Sequence, residues 1–163
     1  DNTDIGGFEH SLKHINYNVK SKKVFILGAG GVVPSIILAL KKMKVSKISL
    51  SNRTKEKGED LKRIYSDLEI INWGQNTDFD MIINATSLGL KSNDQIKLDF
   101  SKNESNKLFY DVIYNPNKTN FLLEGEKLGN RIENGKMMFI YQAQLAFKIW
   151  HNILPKINNK LLD

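Results

Sequence analysis

The chain has 163 residues, of which 40% are hydrophobic and 26% charged, a composition typical of a globular domain rather than a disordered or fibrous protein. It has no cysteine, which excludes a disulfide framework, a thiolate nucleophile and a cysteine-based zinc site, and its three scattered histidines do not suggest a metal cluster. The net charge of +6 comes from lysines spread along the chain, which favours an anionic small ligand over nucleic acid. Without a membrane-spanning apolar run or a secretory signal pattern, we expect a cytoplasmic protein with neither membrane nor nucleic-acid partners.

Short apolar runs alternate with longer amphipathic segments, a pattern typical of parallel strands joined by crossover helices. The runs predict strands over residues 23–28, 47–51, 69–73, 79–85 and 108–113. Apolar spacing predicts helices over 31–43, 55–66, 119–128 and 136–154, with a further helix beginning near residue 7 and a loop over 87–106. The last helix is apolar on two adjacent faces, which predicts packing on more than one side. We predict an α/β fold, doubly wound, with a mainly parallel sheet and helices on both faces.

The segment VFILGAGGVV, residues 24–33, runs from a predicted strand through a glycine-rich turn into a predicted helix. This is the context of a Rossmann-like dinucleotide-binding loop, in which Gly28 permits the tight turn and Gly30 lets the backbone approach a diphosphate. Backbone amides at the start of the helix then face the phosphates. Val33 stands where glycine or alanine is usual, which predicts a slightly wider spacing of helix and strand. The predicted cofactor residues of the loop are Gly28, Ala29, Gly30, Gly31 and Val32. The alternative is a glycine turn that binds no ligand.

The end of the second strand indicates which dinucleotide is bound. NAD-dependent enzymes usually place a carboxylate there, on the ribose hydroxyls. Here no carboxylate ends the strand, and Arg53 offers a planar fork suited to a 2′-phosphate and a surface that can stack on adenine. Asn52, Thr54 and Lys57 supply further donors, so we predict NADP(H) as the cofactor. The alternative is that Thr54 caps the next helix and the basic residues form its solvated face.

Further motifs occur along the chain in a fixed order. They are Asn2-Thr3-Asp4, the GAGG turn at 28–31, Asn52-Arg53-Thr54, Asn84-Ala85-Thr86-Ser87, Tyr110-Asp111-Val112-Ile113-Tyr114-Asn115-Pro116, and Gln142-Ala143 followed by Ala146-Phe147. Together they resemble the shikimate dehydrogenase family, and the resemblance spans nearly all 163 residues as the C-terminal nucleotide-binding domain of that family. It implies an oxidoreductase that reversibly reduces 3-dehydroshikimate to shikimate with NADPH, in the shikimate pathway of aromatic amino-acid biosynthesis.

The resemblance also assigns roles on the substrate side. Asp4 matches the family's catalytic aspartate, which hydrogen-bonds the substrate hydroxyl and holds a neighbouring lysine charged. Tyr114 and Gln142 match substrate-binding positions. Taken alone, Asp4 would more simply cap a helix, Tyr114 could be a core residue, and Gln142, on an otherwise apolar face, could be an amide satisfied within the protein.

On the cofactor side, the resemblance implies contacts from Thr86 and Ser87, which follow the fourth predicted strand at its carboxyl end. It places Val112 and Gly135 beside the nicotinamide. Gly135 could instead be only the turn before the last helix.

The family's catalytic lysine lies in an N-terminal domain for which this sequence has no matching motif. We therefore expect residues 1–163 to form the NADP(H)-binding domain, with the substrate-binding domain joined to it in cis and negligible turnover by this chain alone. Oligomeric state stays open, with a homodimer as one arrangement. Two alternatives also stay open: a quinate/shikimate dehydrogenase that uses NAD, and a non-catalytic regulatory module that binds NADP.

Overall fold

A computed structural model describes residues 2–162 of the chain, so the predicted domain limits at 1 and 163 lie outside the described residues. The strands are β1 Lys23–Leu27, β2 Lys47–Ser51, β3 Glu69–Ile70, β4 Met81–Asn84, β5 Leu108–Asp111 and β6 Arg131–Glu133. The helices are α1 Thr3–His14, α2 Val33–Lys42, α3 Lys55–Ile64, α4 Asn120–Lys127 and α5 Lys136–His151, with a short 3₁₀ turn at Asn159–Leu161. The strands form one sheet in the order β3-β2-β1-β4-β5-β6, and every neighbouring pair is parallel. The doubly wound α/β prediction is confirmed.

Successive side chains along each strand point to opposite faces of the sheet, and so a core forms on each face. In β1, Val24 and Ile26 pack in the cluster that includes residues of α1 and α2, whereas Phe25 and Leu27 pack in the cluster that includes residues of α4. These four side chains are almost fully buried, because a parallel sheet covered on both faces has no solvent-facing side. Residues 85–107 form no helix or strand, which confirms the loop predicted over 87–106, yet Ile96 within them packs into the second cluster.

Helix α1 begins earlier than the sequence pattern predicts. Its N-cap is Asn2, whose side-chain oxygen accepts a hydrogen bond of 2.9 Å from the Asp4 amide. The capping role considered for Asp4 is therefore wrong, since Asp4 lies inside the first turn. Strand β6 has three residues, two of them charged, and has too short an apolar pattern to be predicted.

Helix α5 differs most from expectation. Within the described residues only Met137 and Met138 of this helix are buried, while Phe139 and Trp150 are 51% and 77% exposed. The predicted packing on more than one side is therefore wrong for this part of the chain. The helix also ends at His151, because Asn152 adopts a left-handed conformation with φ of 54°.

The strand order fixes where a ligand can bind. Strand β1 has β2 on one side and β4 on the other, so the connections that leave the two strands β1 and β4 cross to opposite faces. In open α/β sheets this reversal leaves a crevice at the carboxyl ends of the strands. Among residues 2–162 no helix combines the length and apolar character needed to cross a membrane.

Candidate functional site

The turn after β1 requires glycine at its first position. Gly28 has a φ of +112°, and its amide donates a 2.8 Å hydrogen bond to the carbonyl oxygen of Ser51 at the end of β2. A Cβ at this position would lie 2.7 Å from the carbonyl oxygen of Ala85, just beyond β4. The turn is therefore held between the last residue of β2 and the backbone just after β4, and only glycine fits it.

The next two glycines of the loop face open space. A Cβ at Gly30 or Gly31 would meet no atom within 4 Å, and both residues are exposed. The Val33 amide donates to the Gly30 carbonyl at 3.1 Å, and Pro34 occupies the first turn of α2, where a missing amide hydrogen costs nothing. This side of the turn leaves room for a ligand to approach the backbone, as a diphosphate site needs.

A cavity of about 230 Å³ lies at this crevice. Its lining residues are Gly28, Ala29, Gly30, Asn52, Arg53, Lys57, Trp73, Ala85, Thr86, Ser87 and Leu88. All of them except Trp73, Ala85 and Leu88 are residues that the sequence predicts to bind the cofactor. The structure thus brings the glycine turn, the basic segment after β2 and the turn after β4 to one cavity.

A larger cavity of about 610 Å³ lies between residues 95–98 and α4. None of the predicted site residues lines it, and it is remote in sequence from the carboxyl ends of β1 and β2. Size alone therefore does not select the site, whereas the convergence of glycines, cations and strand ends does. Within the described residues no group of three or more histidine, aspartate or glutamate side chains is arranged to hold a metal ion.

Two exposed cations stand at the cavity without a counterion. Neither Arg53 nor Lys57 forms an ion pair with any residue in the described part of the chain. The Asn52 side-chain amide donates to the Thr54 carbonyl at 2.8 Å, which ties the strand end to the start of α3. Thr54 is the N-cap residue of α3, but its hydroxyl makes no capping hydrogen bond, so the simple capping alternative is not supported. The cations are therefore available to an anionic ligand.

Buried polar groups fix the turn that follows β4. The Asn84 side-chain oxygen accepts hydrogen bonds from the Thr86 amide at 3.0 Å and from its hydroxyl at 2.7 Å. The Asn84 amide nitrogen donates to Asp111 at 3.1 Å, and the Thr119 hydroxyl donates to the same carboxylate oxygen at 2.6 Å. The other Asp111 oxygen accepts from the Ile113 amide at 2.9 Å. Asp111, which the sequence does not single out as a site residue, therefore anchors one wall of the cavity.

Burial raises the pKa of the Asp111 carboxyl from 3.8 to about 6, against the opposing effect of the hydrogen bonds that it accepts. Because the folded-state pKa is raised, the folded chain binds a proton more tightly than the unfolded chain does. This contribution to stability is fully present below pH about 4 and is lost as the pH rises through about 6. This difference in the Asp111 pKa between the unfolded and folded chain corresponds to about 3 kcal/mol at low pH.

We expect the parent chain, but not the Asp111→Asn variant, to lose this contribution to stability as the pH rises. Urea unfolding of both proteins from pH 4 to pH 7 measures it, because taking the difference between them cancels the other titrating groups. The free energy of unfolding of the parent, relative to the variant, should fall by about 2 kcal/mol across this range. A difference that does not change with pH would contradict the assignment.

Two of the three residues predicted on the substrate side lie on helices, Asp4 on α1 and Gln142 on α5. The Gln142 amide donates a hydrogen bond to the Asp4 carboxylate, which satisfies the amide within the chain. Gly7 allows the two helices to approach closely here. A Cβ at this position would lie 2.8 Å from the Met138 carbonyl oxygen. Asp4 remains partly accessible.

Tyr114 is 44% exposed and stacks on Phe139 of α5 with ring centroids 5.0 Å apart. It is therefore not a core residue. Phe139 precedes Gln142 by three residues, so the two side chains lie on adjacent turns of one helix side. Gln142 lies on α5, Asp4 contacts α5 through Gln142, and Tyr114 contacts it through Phe139.

The other predicted cofactor residues do not line the 230 Å³ cavity. They are Gly31, Val32, Thr54, Val112 and Gly135. Val112 and Gly135 lie against each other, since a Cβ on Gly135 would clash with the Val112 carbonyl oxygen. The Gly135 amide donates to the Ile113 carbonyl at 3.1 Å. The space that the missing Gly135 side chain leaves is therefore filled by the Val112 backbone of the same chain.

Trp73 is the aromatic one of the three lining residues that sequence reasoning missed, the others being Ala85 and Leu88. The signal was an aromatic residue at the carboxyl end of a predicted strand, followed by glycine, at the edge of the sheet where ligands bind. The pattern of residues 69–73 predicts that Trp73 belongs to the strand itself, whereas β3 ends at Ile70.

Taken together, the strand order and the glycine turn define a Rossmann-like domain of the dinucleotide-binding class. The Shikimate / quinate 5-dehydrogenase family model matches residues 10–116. The chain belongs to the shikimate/quinate 5-dehydrogenase family.

Comparison with individual proteins agrees with this family. A shikimate dehydrogenase (NADP(+)) from Pelagibacter ubique (strain HTCC1062) is 57% identical over 163 residues, which cover 100% of this chain and 62% of that protein. A crystal structure of a shikimate dehydrogenase in complex with NADP+ superposes with a TM-score of 0.87 at 31% identity, over 99% of this chain and 59% of that one. A 5-ketofructose reductase of Gluconobacter sp. strain CHM43 superposes with a TM-score of 0.86 at 30% identity, over 99% of this chain and 61% of that one. The chain therefore spans less than two thirds of the length of the proteins that it matches.

Proposed function

We propose that this chain is the NADP(H)-binding domain of a shikimate dehydrogenase, an oxidoreductase acting on a secondary alcohol. The single observation that carries the proposal is the cavity in which the glycine turn after β1 meets Arg53 and Lys57. Two similar proteins support it, since the Pelagibacter protein is a shikimate dehydrogenase (NADP(+)) and one structural neighbour is a complex with NADP+.

The residues present fit the cofactor. Open space beside Gly30 and Gly31 accommodates a diphosphate against backbone amides, at the N-terminal end of α2 where the helix dipole favours anions. Arg53 and Lys57 would take the 2′-phosphate, Arg53 through its planar fork and Lys57 as a point charge. When bound, the dihydronicotinamide supplies the hydride.

Asp4 and Gln142 would face the substrate. A carboxylate accepts a hydrogen bond from the substrate hydroxyl and can hold its proton, while the Gln142 amide, already donating to Asp4, fixes the orientation of that carboxylate. Tyr114, which stacks on Phe139 one turn before Gln142 on α5, would also contact the substrate. Asp4 is thus the catalytic group that this chain contributes.

The rest of the site would come from a domain joined in cis. The exposed face of α5 is the surface we assign to it, because large apolar side chains there are left uncovered in the described part of the chain. They include Phe139, Phe147, Ile149 and Trp150. This domain would carry the family's lysine, and the chain without it should turn over negligibly.

The proposal is tested in the protein extended by the sequence encoded upstream of this chain. We expect it to oxidise shikimate with NADP+, followed by the absorbance of NADPH, whereas the 163-residue chain should show no measurable rate. Oxidation of quinate and not of shikimate would change the substrate assignment. Binding of NADP+ with no oxidation of either would favour the non-catalytic module.

Asp4→Asn in the extended protein should lower kcat about tenfold or more, because the amide cannot hold a proton and loses a charge-assisted hydrogen bond. The affinity for NADPH should be unchanged. Glu9→Gln is the matched control, since Glu9 lies on the same helix and pairs with Lys42 instead. An equal loss of kcat in both variants would assign the effect to α1 as a whole rather than to Asp4.

A further inference from the structure

Trp73 occupies a defined turn beside the cavity. The Gln75 amide donates to the Asn72 carbonyl at 3.0 Å, and Gly74 between them has a φ of +87°. A four-residue turn with glycine at a positive φ in its third position has the geometry of type II. The turn follows β3 closely and presents the tryptophan at the carboxyl edge of the sheet.

The indole is held in place by the core. Trp73 packs against the buried cluster that includes Phe25, Leu27 and Phe79, and Leu88 packs against the same cluster. Both residues also line the 230 Å³ cavity. Trp73 is only partly buried, so one part of its ring is supported by the core while another part borders the cavity.

Different sides of the cavity carry different kinds of chemical group. Backbone amides and glycines form its β1 side, and the cations Arg53 and Lys57 form its β2 side. Trp73 is the only aromatic residue among those that line it, and Leu88 beside it adds aliphatic surface. An apolar surface next to unpaired cations suits a ligand in which a planar base adjoins a phosphate. Indole faces stack on nucleobases with little dependence on base identity.

We infer that Trp73 forms the stacking surface for the purine base of the nucleotide bound in this cavity. The inference deepens the proposed function and rests on it. The base belongs to the adenosine end, since Trp73 shares the cavity with the cations assigned to the 2′-phosphate.

Fluorescence tests this contact directly. The chain has two tryptophans, so Trp150→Phe leaves Trp73 as the sole tryptophan emitter. Adenosine 2′,5′-bisphosphate contains the base and the 2′-phosphate but lacks nicotinamide, and it does not absorb where tryptophan emits. We expect it to change the Trp73 emission with a midpoint equal to the Kd measured by calorimetry, whereas nicotinamide mononucleotide should leave the emission unchanged.

Affinity gives a second readout. Trp73→Leu keeps apolar bulk against the core but removes the stacking face, and it should weaken NADPH and NADH by the same factor, about tenfold. Trp73→Phe should retain affinity within about threefold, because an aromatic face remains. Arg53→Ala should instead act mainly on NADPH, which separates stacking from phosphate recognition.

The binding and fluorescence results distinguish the stacking role of Trp73 from the proposed binding of NADP(H). If the parent binds NADPH while Trp73 emission stays constant and Trp73→Leu keeps full affinity, the stacking role is overturned and the proposed function stands. If the parent binds neither NADPH nor adenosine 2′,5′-bisphosphate, the proposed function fails and this inference fails with it.

Discussion

Gly28→Ala is expected to lower the free energy of unfolding by about 3 kcal/mol or more. The added Cβ would lie 2.7 Å from the Ala85 carbonyl oxygen and 2.9 Å from its carbon, and both are backbone atoms that cannot rotate away. The φ of +112° adds strain for any residue with a side chain. Urea unfolding measures the loss, and the binding of NADPH should disappear with the turn that holds its diphosphate.

Gly30→Ala is the matched control for this prediction. The substitution is the same and lies two residues away, but its methyl group meets nothing within 4 Å. Stability should therefore change by less than about 1 kcal/mol. NADPH binding should still weaken, because the methyl group projects into space that we assign to the diphosphate. Equal destabilisation by the two variants would contradict the geometry described for the turn.

Arg53→Ala is expected to weaken NADPH about 100-fold while changing the affinity for NADH only slightly. A guanidinium can donate two charge-assisted hydrogen bonds to a 2′-phosphate, and NADH has no group there to receive them. The effect should shrink at high salt, because Arg53 is exposed to solvent. Calorimetric titration with both cofactors measures the ratio.

Arg63→Ala is the control for charge alone. Arg63 lies on α3, pairs with Asp60 and does not line the cavity. Its removal lowers the net charge by the same amount, so it should leave the NADPH to NADH ratio unchanged. If Arg63→Ala and Arg53→Ala weakened NADPH equally, the general field of the chain rather than a specific phosphate contact would be responsible.

The parts of the site that depend on local sequence were predictable. The glycine turn after β1 and the basic segment after β2 each follow from a short motif at a strand end, and the structure places Gly28 and Arg53 at one cavity. The parallel pairing of β1 with β2, of β2 with β3 and of β5 with β6 follows from the single helix that joins each pair, whereas β3, β4 and β5 follow one another without a helix.

The missed parts depend on contacts between distant segments. Asp111 acquires its environment from Asn84 and Thr119, and no spacing in the sequence shows that these three side chains meet. Trp73 lies at the cavity in the turn that follows the edge strand β3, which ends at Ile70, earlier than the sequence pattern predicts. The two-sided packing predicted for α5 is absent within residues 2–162, because an apolar pattern does not show which residues, if any, cover that face.

Parallel titrations of the parent chain with NADPH and NADH show whether the crevice beside Gly28 and Arg53 binds NADP(H) selectively. We expect saturable binding of one NADPH per chain, with NADH bound at least tenfold more weakly because it cannot engage Arg53. Equal affinities for the two cofactors, or heat changes no larger than those of dilution, would contradict it.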